Sequence, residues 1–570
     1  MAEEVWMLQT KKADFKQIGA RFRIDPVTAR IIRNRGIEGE AAIDRYLNGT
    51  LDDLYDPMLL KDMERAVSIL CEAVDTGKKI RIVGDYDIDG VCSTYILLQA
   101  FERLGSDVDF EIPDRIKDGY GINESIIEQA HADGVEVILT CDNGISAFHQ
   151  VELAKKYGMT VVITDHHEVP LDGEKEKIPP ADAVIDPKQA DCPYPFPEIC
   201  GAVVAYKLVQ VLYARRGVPR MEWLDLHEFA AIATVGDVMK LQDENRILVK
   251  YGLKKMAQTK NLGLRRLAEK NNLDLGAITA YHIGFVIGPC LNAGGRLKTA
   301  KEALALLRAQ SEEEAERLAE ELKELNDTRK DMTEQGTEAA KLQVESWYQK
   351  DKVLVVFLPE CHESLAGIIA GRLREYYQKP AIVLTRGEEA VKGSGRSIDE
   401  YHMFKKLTEV SDLLLKFGGH PLAAGLSLEE KNIDEFRRRL NENAGLTEED
   451  FKAKVWIDVP MPVGYVTERL VRELSCLEPF GQGNEKPLFA EKSLRIRASR
   501  VLGRNRNVVK MTLEETDGHA IEALYFGDGT AFEEERAGRR EIDVVYYPDI
   551  NEYNGRKTLQ AVIRRYKFRG

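Results

Sequence analysis

The stretch KIRIVGDYDIDGVCSTYILLQAFERLG, Lys79–Gly105, sets the architecture of the chain. A short β-branched apolar run breaks at a glycine and an acidic turn, then resumes as a long apolar helix pattern. The same grammar repeats downstream. DVDFEIP (107–113) reads as a second strand, VEVILTCDNG (135–144) as a third, MTVVITDHH (159–167) as a fourth and DAVIDP (182–187) as a short fifth, with helices near Asn123–His131 and Ala147–Tyr157. Apolar strands alternating with helices predict a parallel sheet covered on both faces.

Outward from this block, residues 1–75 read as a helical part of the same domain, which runs over 76–300. Residues 301–349 read as one connector helix, with Ala315, Leu318, Leu322 and Leu325 on its apolar face. KVLVVFLPE and PAIVLTR open a second α/β block over 350–446. From 447 to 570, short strand-like runs (SLRIRASRVL, VVKMTLEE, EIDVVYYP, TLQAVIRRYKF) separated by turn signals predict a small β-barrel. At 570 residues and roughly 150 residues per domain, three to four domains are expected.

Composition narrows the classes. Hydrophobic residues are 44% and charged residues 31%, as in a soluble globular protein. There is no apolar run of the roughly 18 residues that a membrane helix needs, and the first residues lack a secretory signal pattern. The eight cysteines are scattered without a CxxC pair, so neither a zinc ribbon nor a thioredoxin-like site is expected, and the reducing cytoplasm is the expected location. A net charge of −15 argues against non-specific coating of nucleic acid. The segment 491–570 nevertheless holds 16 Lys and Arg against 13 Asp and Glu.

The chemistry lies where strands end. The first strand delivers Asp85, Asp87 and Asp89, the third Asp142, and the fourth Asp165, His166 and His167. In an open parallel sheet the ligand crevice lies beyond the carboxyl ends of the strands, so these groups converge. Packed carboxylates raise one another's pKa unless a cation is present. Carboxylate with imidazole suits Mn²⁺ or Mg²⁺, and there are enough acids for two ions about 3.5–4 Å apart sharing one carboxylate. D-x-D-x-D-G also opens an EF-hand loop, but that loop needs Glu at its twelfth position, where this chain has Ile96 inside an apolar helix. On an extended segment adjacent side chains face opposite ways, so one of His166 and His167 is expected to bind metal and the other to face a phosphate or leaving oxygen as a proton donor.

These motifs resemble those of the DHH/DHHA1 phosphoesterase superfamily, and within it the RecJ family. In order along the chain, Ile112-Pro113-Asp114-Arg115 and Gly119-Tyr120-Gly121 are similar to the family's stretch near a terminal phosphate. Asp237 stands where the family has another metal ligand, and Asn292-Ala293-Gly294-Gly295-Arg296-Leu297 resembles N-A-x-G-R-L. His362-Glu363-Ser364, Gly393-Ser394-Gly395-Arg396-Ser397 and Gly418-Gly419-His420 resemble signatures of the DHHA1 substrate domain. Leu477–Asn484 resembles the lead-in to an OB-fold, where Arg495, Arg497, Arg504, Arg506, Lys510, Tyr553, Arg556 and Lys557 are candidates for strand contact. Lys240 departs from a proline common in relatives, and an extra C-terminal region carried by some relatives is not expected.

The resemblance implies a metal-dependent exonuclease degrading single-stranded DNA from its 5′ end to mononucleotides, in recombination and repair. It assigns Asp85, Asp87, Asp89, Asp142, His166 and Asp237 to two Mn²⁺ or Mg²⁺ ions, with Asp142 bridging. His167, Asp142 and Asp165 are the expected catalytic groups. Arg115, Asn292, Arg296, His362, Arg396, Ser397 and His420 are expected on phosphates or nucleic acid. Without a Walker A sequence, a separate helicase is implied, together with a single-strand-binding protein. A monomer without membrane contact is expected. The alternatives left open are another DHH phosphodiesterase acting on short oligonucleotides or cyclic dinucleotides, and a non-catalytic single-strand-binding scaffold.

Overall fold

The computed structural model describes residues 4–116, 118–553 and 555–569. The chain forms two compact units, one from Leu54–Met239 and Leu248–Ala453, the other from 4–53, Lys240–Ile247 and 454–569.

The first unit opens with the five-stranded sheet expected from the sequence. Its spatial order is Val108–Glu111, Ile80–Val83, Val137–Cys141, Thr160–Thr164, Ala183–Ile185, all parallel. The order reverses between Ile80–Val83 and Val137–Cys141, so the crevice at a topological switch point opens beside the loops that carry the acids. Every residue of Ile80–Val83 is buried. Arg81 is tolerated there because its guanidinium is paired with Asp109 and Asp133 at 2.7 and 2.8 Å. Helix Ile88–Arg103 is buried on nearly all faces and forms the centre of the largest core.

The expected connector departs from one continuous helix. Helix Lys301–Leu307 stops, and Ser311 caps a new helix, Glu312–Gln343, by accepting from Glu314 N at 3.2 Å. Three glutamates in the first turn favour this restart, since negative charge is stabilised at a helix N-terminus. The second sheet of this unit has the order Leu414–Gly419, Ala423–Leu428, Val391–Arg396, Ala381–Arg386, Leu354–Phe357. Only its last pair is parallel.

The second unit is a closed barrel. Phe489–Leu502 pairs with Val508–Glu514 on one side and Glu541–Tyr553 on the other. Ala520–Phe526 and Arg556–Phe568, which pair in parallel, complete the circuit, with helix Gly529–Arg536 between strands. The side chain of Tyr553 lies outside the described residues. Arg497, Lys510 and Lys557 are ion-paired with Glu514, Glu522 and Glu552. Arg495, Arg504 and Arg556 are exposed and have no partner among the described residues.

Residues 4–53 correct the reading of 1–75 as part of the catalytic domain, whereas 54–75 pack in the catalytic unit as expected. Helices Pro26–Asn34 and Glu40–Asn48 place Ile31, Ile32, Ile43 and Tyr46 in the barrel's core with Phe489, Phe532 and Tyr546. Their apolar stripes are legible locally, but the surface that covers them comes from the far end of the chain. Arg246 ties this unit together. It is 1% exposed, lies over the Tyr46 ring at 3.9 Å, and donates to Tyr46 O, Leu477 O and Cys476 O at 2.8–3.0 Å. Arg246→Met is expected to leave these carbonyls unpaired and to destabilise the barrel unit by about 3 kcal/mol, read as a lower urea midpoint for that unit with the catalytic unit's transition unchanged.

Candidate metal centre and phosphate site

Each strand end contributes a defined piece. Asp87 caps helix Ile88–Arg103, its Oδ1 accepting from Asp89 N and Gly90 N at 2.9 and 3.2 Å. Asp89, buried in the first turn of that helix, accepts from Gly201 N and Ala202 N at 2.6 and 2.7 Å and so caps helix Gly201–Arg215. Asp142 follows its strand with φ of 62°, a left-handed conformation uncommon outside glycine, asparagine and aspartate. A Cβ at position 201 would come within 2.7 Å of the Asp142 Cβ, so glycine is required where this helix meets the aspartate. Asp237 ends helix His227–Gly236.

Three groups of candidate ligands result, the ligand atoms in each lying within 4.8 Å of one another: Asp85, Asp87 and Asp142; Asp89, His166 and Asp237; Asp142, His166 and His167. Asp142 belongs to the first and third, and its Oδ1 lies 3.0 Å from His166 Nε2, which is 3.4 Å from Asp89 Oδ2. The arrangement is two adjacent clusters joined through Asp142 and His166.

The electrostatics favour a cation. Burial, then the charge of Asp87, pushes Asp85 well above the ordinary carboxylate range. Burial, then Asp89, Asp87 and Asp85, does the same to Asp142. Asp237 is pushed up to about 8 by burial, then by Asp89 and Asp87. All donors are hard oxygen or imidazole nitrogen, the set that suits Mn²⁺ or Mg²⁺. Cys141 is adjacent, but burial raises its thiol to about 12, and it belongs to none of the groups.

The histidine pair differs from the expectation of opposite faces. The strand ends at Thr164 and the chain bends at His167, so strand alternation no longer applies. Both rings turn to the same side, with centroids 4.5 Å apart. They differ in exposure and partners instead. His166 is buried, which lowers its pKa. His167 is 43% exposed. Desolvation disfavours its charge, but the hydrogen bond to Asp165 and that carboxylate's charge outweigh this and raise it to about 9. Asp165, expected among the catalytic groups, is fully buried. Its Oδ1 accepts from His166 N and lies 2.7 Å from His167 Nδ1, while Oδ2 accepts from Ile145 N. It positions His167 and does not face the clusters.

A cationic region lies in the same unit. Arg115 stacks over Tyr86 at 4.6 Å. Burial, then Arg115 and Arg329, lowers Arg296 to about 10. Burial, then Arg374 and Arg115, lowers Arg396. Arg115, Arg296, Arg329 and Arg396 have no ion pair among the described residues; their fields fall on one another. Arg396 donates to Ser394 Oγ at 3.2 Å and to its neighbour's carbonyl Gly395 O at 2.8 Å. Gly367 gives them room, because a Cβ there would lie 2.8 Å from Arg396 Nη2 and 2.9 Å from Ser394 Oγ.

Three family descriptions match in order: "DHH family, N-terminal domain" at residues 79–235, "DHHA1 domain" at 350–445 and "RecJ OB domain" at 457–565. The single-stranded-DNA-specific exonuclease RecJ of Bacillus subtilis (strain 168) is 37% identical over 564 residues, spanning 98% of this chain and 70% of the relative. The chain belongs to the RecJ family. The RecJ of Escherichia coli (strain K12) is 34% identical over 563 residues, spanning 95% of each. The crystal structure of RecJ from Thermus thermophilus in complex with Mn²⁺ matches with a TM-score of 0.84 at 28% identity, covering 99% of this chain and 80% of that one. Its complex with Mg²⁺ matches with a TM-score of 0.78 at 27% identity, covering 99% and 78%.

Set against the RecJ signatures, several expected positions shift. Ser397 is 2% exposed and donates to Tyr401 O, so it serves the fold. Period-two alternation puts Ser394 on the face of Arg396 instead, a signal present in the sequence. His420 is exposed on the hairpin after Gly419, with no side-chain partner among the described residues. His362 Nδ1 is 2.8 Å from Ser364 Oγ, and Ser364 O accepts from Arg296 at 3.0 Å. Asn292 and Arg296 line a cavity of about 100 Å³ with Arg329. Arg329 gives no signal in the sequence, because it lies in a helix pattern that is simply charged. Tyr120, noted in the sequence only as part of the Gly119–Gly121 stretch near a terminal phosphate, lies instead at the candidate metal ligands. Its hydroxyl donates to Asp142 O at 2.9 Å and lies 3.0 Å from His167 Nδ1, a contact that only the fold creates.

Because the raised carboxyls hold protons near neutral pH without metal, Mn²⁺ binding is expected to release protons and to tighten as pH rises toward about 8, where Asp237 ionises. Calorimetry in two buffers of different ionisation enthalpy checks this; binding that releases no protons would contradict it.

Proposed function

We propose that this chain is a metal-dependent exonuclease that hydrolyses single-stranded DNA stepwise from a 5′ end to mononucleotides, in DNA recombination and repair. The observation that carries the reading is the pair of carboxylate–imidazole clusters at the switch point, joined through Asp142 and His166, with unpaired arginines in the same unit. The RecJ relatives named above are single-stranded-DNA-specific exonucleases, and the Thermus structures hold Mn²⁺ or Mg²⁺.

On this reading Asp85, Asp87 and Asp142 hold one ion, and Asp89, His166 and Asp237 the other, with Asp142 between them. When bound, such a pair lowers the pKa of water and offsets charge on the scissile phosphate. The chain's own groups do the rest. His167, held by Asp165 and touched by Tyr120, keeps a proton at neutral pH and is assigned to donate it from its ring to the leaving oxygen. Arg115, Arg296 and Arg396, with Arg329 and Ser394, are assigned to phosphates, including the terminal one, with His362 and Asn292 alongside. Glycine at 367 lets the arginine fork approach the start of helix Ala366–Tyr377. The barrel's unpaired Arg495, Arg504 and Arg556 are assigned to strand retention.

No helix among the described residues is long and apolar enough to cross a membrane. Since the chain carries no Walker A sequence, we assign duplex opening to a separate helicase and protection of the strand to a single-strand-binding protein. The enzyme is read as a monomer working on cytoplasmic DNA.

Asp142→Ala is expected to abolish Mn²⁺-supported cleavage of single-stranded DNA while strand binding stays within a few fold. End-labelled strands report activity, polarity and product size together, and normal cleavage by this variant would remove the metal assignment. Arg396→Ala or Ser394→Ala is expected to reduce the preference for a 5′-phosphorylated over a 5′-hydroxyl strand about tenfold, the order of one charge-assisted hydrogen bond. Competition between the two strands measures it, and an unchanged preference would free both residues from the terminal phosphate.

A further inference from the structure

A cavity of about 440 Å³ lies in the first unit, within the usual size range of a small-molecule site, and none of the candidate metal ligands lines it. It opens between two helices. Tyr95, Gln99 and Arg103 reach it from Ile88–Arg103, and Glu228 and Phe229 from His227–Gly236, with the Tyr95 and Phe229 rings 4.3 Å apart. The opposite ends of the same helices carry metal-site groups: Asp87 and Asp89 begin one, and Asp237 ends the other. At 1.5 Å of rise per residue, about 15 Å of helix separates Gln99 from Asp89 and about 14 Å separates Glu228 from Asp237. The cavity is therefore distinct from the metal centre, yet it is built on elements that hold the candidate ligands.

The lining describes an occupant. Glu228 is 2% exposed; its Oε1 accepts from Thr259 Oγ1 at 2.7 Å, and its Oε2 has no hydrogen-bond partner among the described residues. A buried acceptor in this state costs free energy that an N–H donor on a ligand would recover. Glu228 is close enough for its charge to act on the Tyr95 hydroxyl. That hydroxyl accepts from Asn261 Nδ2 at 3.2 Å, which leaves its own proton to donate. An unfilled acceptor thus stands near an available donor. Tyr95, Tyr213 and Phe229 add aromatic walls, and Leu262 and Leu307 aliphatic ones. Asp225 serves two cations of the same lining, Lys255 and, at 3.4 Å, Lys260, whose side chain is 83% exposed. One carboxylate between two ammonium groups leaves positive charge over at the solvent side.

We infer that this cavity is an effector site for an adenine nucleoside monophosphate, coupled to the metal centre through the two helices that line it. Adenine presents an amino donor beside a ring-nitrogen acceptor, the pattern that Glu228 Oε2 and the Tyr95 hydroxyl complement. Its flat ring suits the aromatic walls, and the phosphate suits Lys260. An amino acid or a simple amine would satisfy Glu228 but leave those walls unfilled. The deoxynucleotide released by cleavage and the free ribonucleotide share this chemistry. Coupling is reciprocal, so an occupant that alters Mn²⁺ affinity is itself held differently when Mn²⁺ binds.

The test titrates AMP, dAMP and UMP by calorimetry into the Mn²⁺-loaded full chain saturated with a phosphorothioate single strand, which resists cleavage and fills the strand's path. The choice of strand rests on the function proposed above. AMP and dAMP are expected to bind at one site per chain, and UMP, with a carbonyl in place of the amino group, about tenfold more weakly. Glu228→Gln keeps an oxygen for Thr259 but loses the free acceptor, and is expected to weaken AMP about tenfold. Lys260→Ala, at an exposed position, is expected to weaken AMP and leave adenosine unchanged. AMP at a concentration that fills the wild-type site but not that of Glu228→Gln is expected to shift Mn²⁺ affinity about fivefold or more in the wild type alone. Tighter binding of dAMP would mark the released product as the occupant, and tighter binding of AMP the free ribonucleotide. No AMP binding to the strand-loaded chain, equal binding of UMP, affinity indifferent to Glu228→Gln, or an unshifted Mn²⁺ affinity would overturn the effector site. A chain that failed to bind the strand would instead count against the proposed function.

Discussion

The constraint on which the structure turns is the repulsion among buried carboxylates at one end of a parallel sheet. Asp85, Asp87, Asp89 and Asp142 arrive there because their strands are neighbours, and Asp237 because a helix ends beside them. Taken without a counter-ion, the cluster destabilises the fold that builds it, and it answers by holding protons that free carboxylates would shed. A divalent cation resolves the conflict. The surrounding rigidity serves that end: helix N-termini donate to Asp87 and Asp89, and a left-handed backbone aims Asp142.

A second electrostatic conflict, of opposite sign, stands in the same unit. Burial and neighbouring guanidiniums lower the proton affinity of Arg296, Arg329 and Arg396, and these three and Arg115 have no ion-paired carboxylate among the described residues. Carboxylates that await cations and guanidiniums that await anions complement a phosphodiester from two sides. This division of labour explains why the chain keeps two sheets of different construction. The parallel sheet gathers ligands at its loop end, whereas the antiparallel strand Val391–Arg396 presents Ser394 and Arg396 on one face by alternation.

Much of this is legible in the sequence because it is local. Strand runs, the acidic turn after Ile80–Val83 and the β-barrel pattern each declare themselves within a dozen residues. What escapes depends on events beyond that range or on a local break in a rule. The alternation that should split His166 from His167 fails because the strand has already ended. Asp165 reads like another catalytic group, but its oxygens are consumed by the loop it organises. The place directly after Arg396 favours Ser397, although the two-residue period of an extended chain favours Ser394. The first helices read as part of the wrong core because an amphipathic stripe shows that it needs a cover without showing which.

Asp89 carries a consequence of its own. The same carboxylate that belongs to a candidate ligand group also starts helix Gly201–Arg215, one oxygen on each of two amides. Ion occupancy and the footing of an almost wholly buried helix therefore share a single side chain. Neutralising it alters the electrostatics and the scaffold at once, so an inactive variant there speaks ambiguously, whereas Asp237, at a helix's far end, separates ligation from architecture.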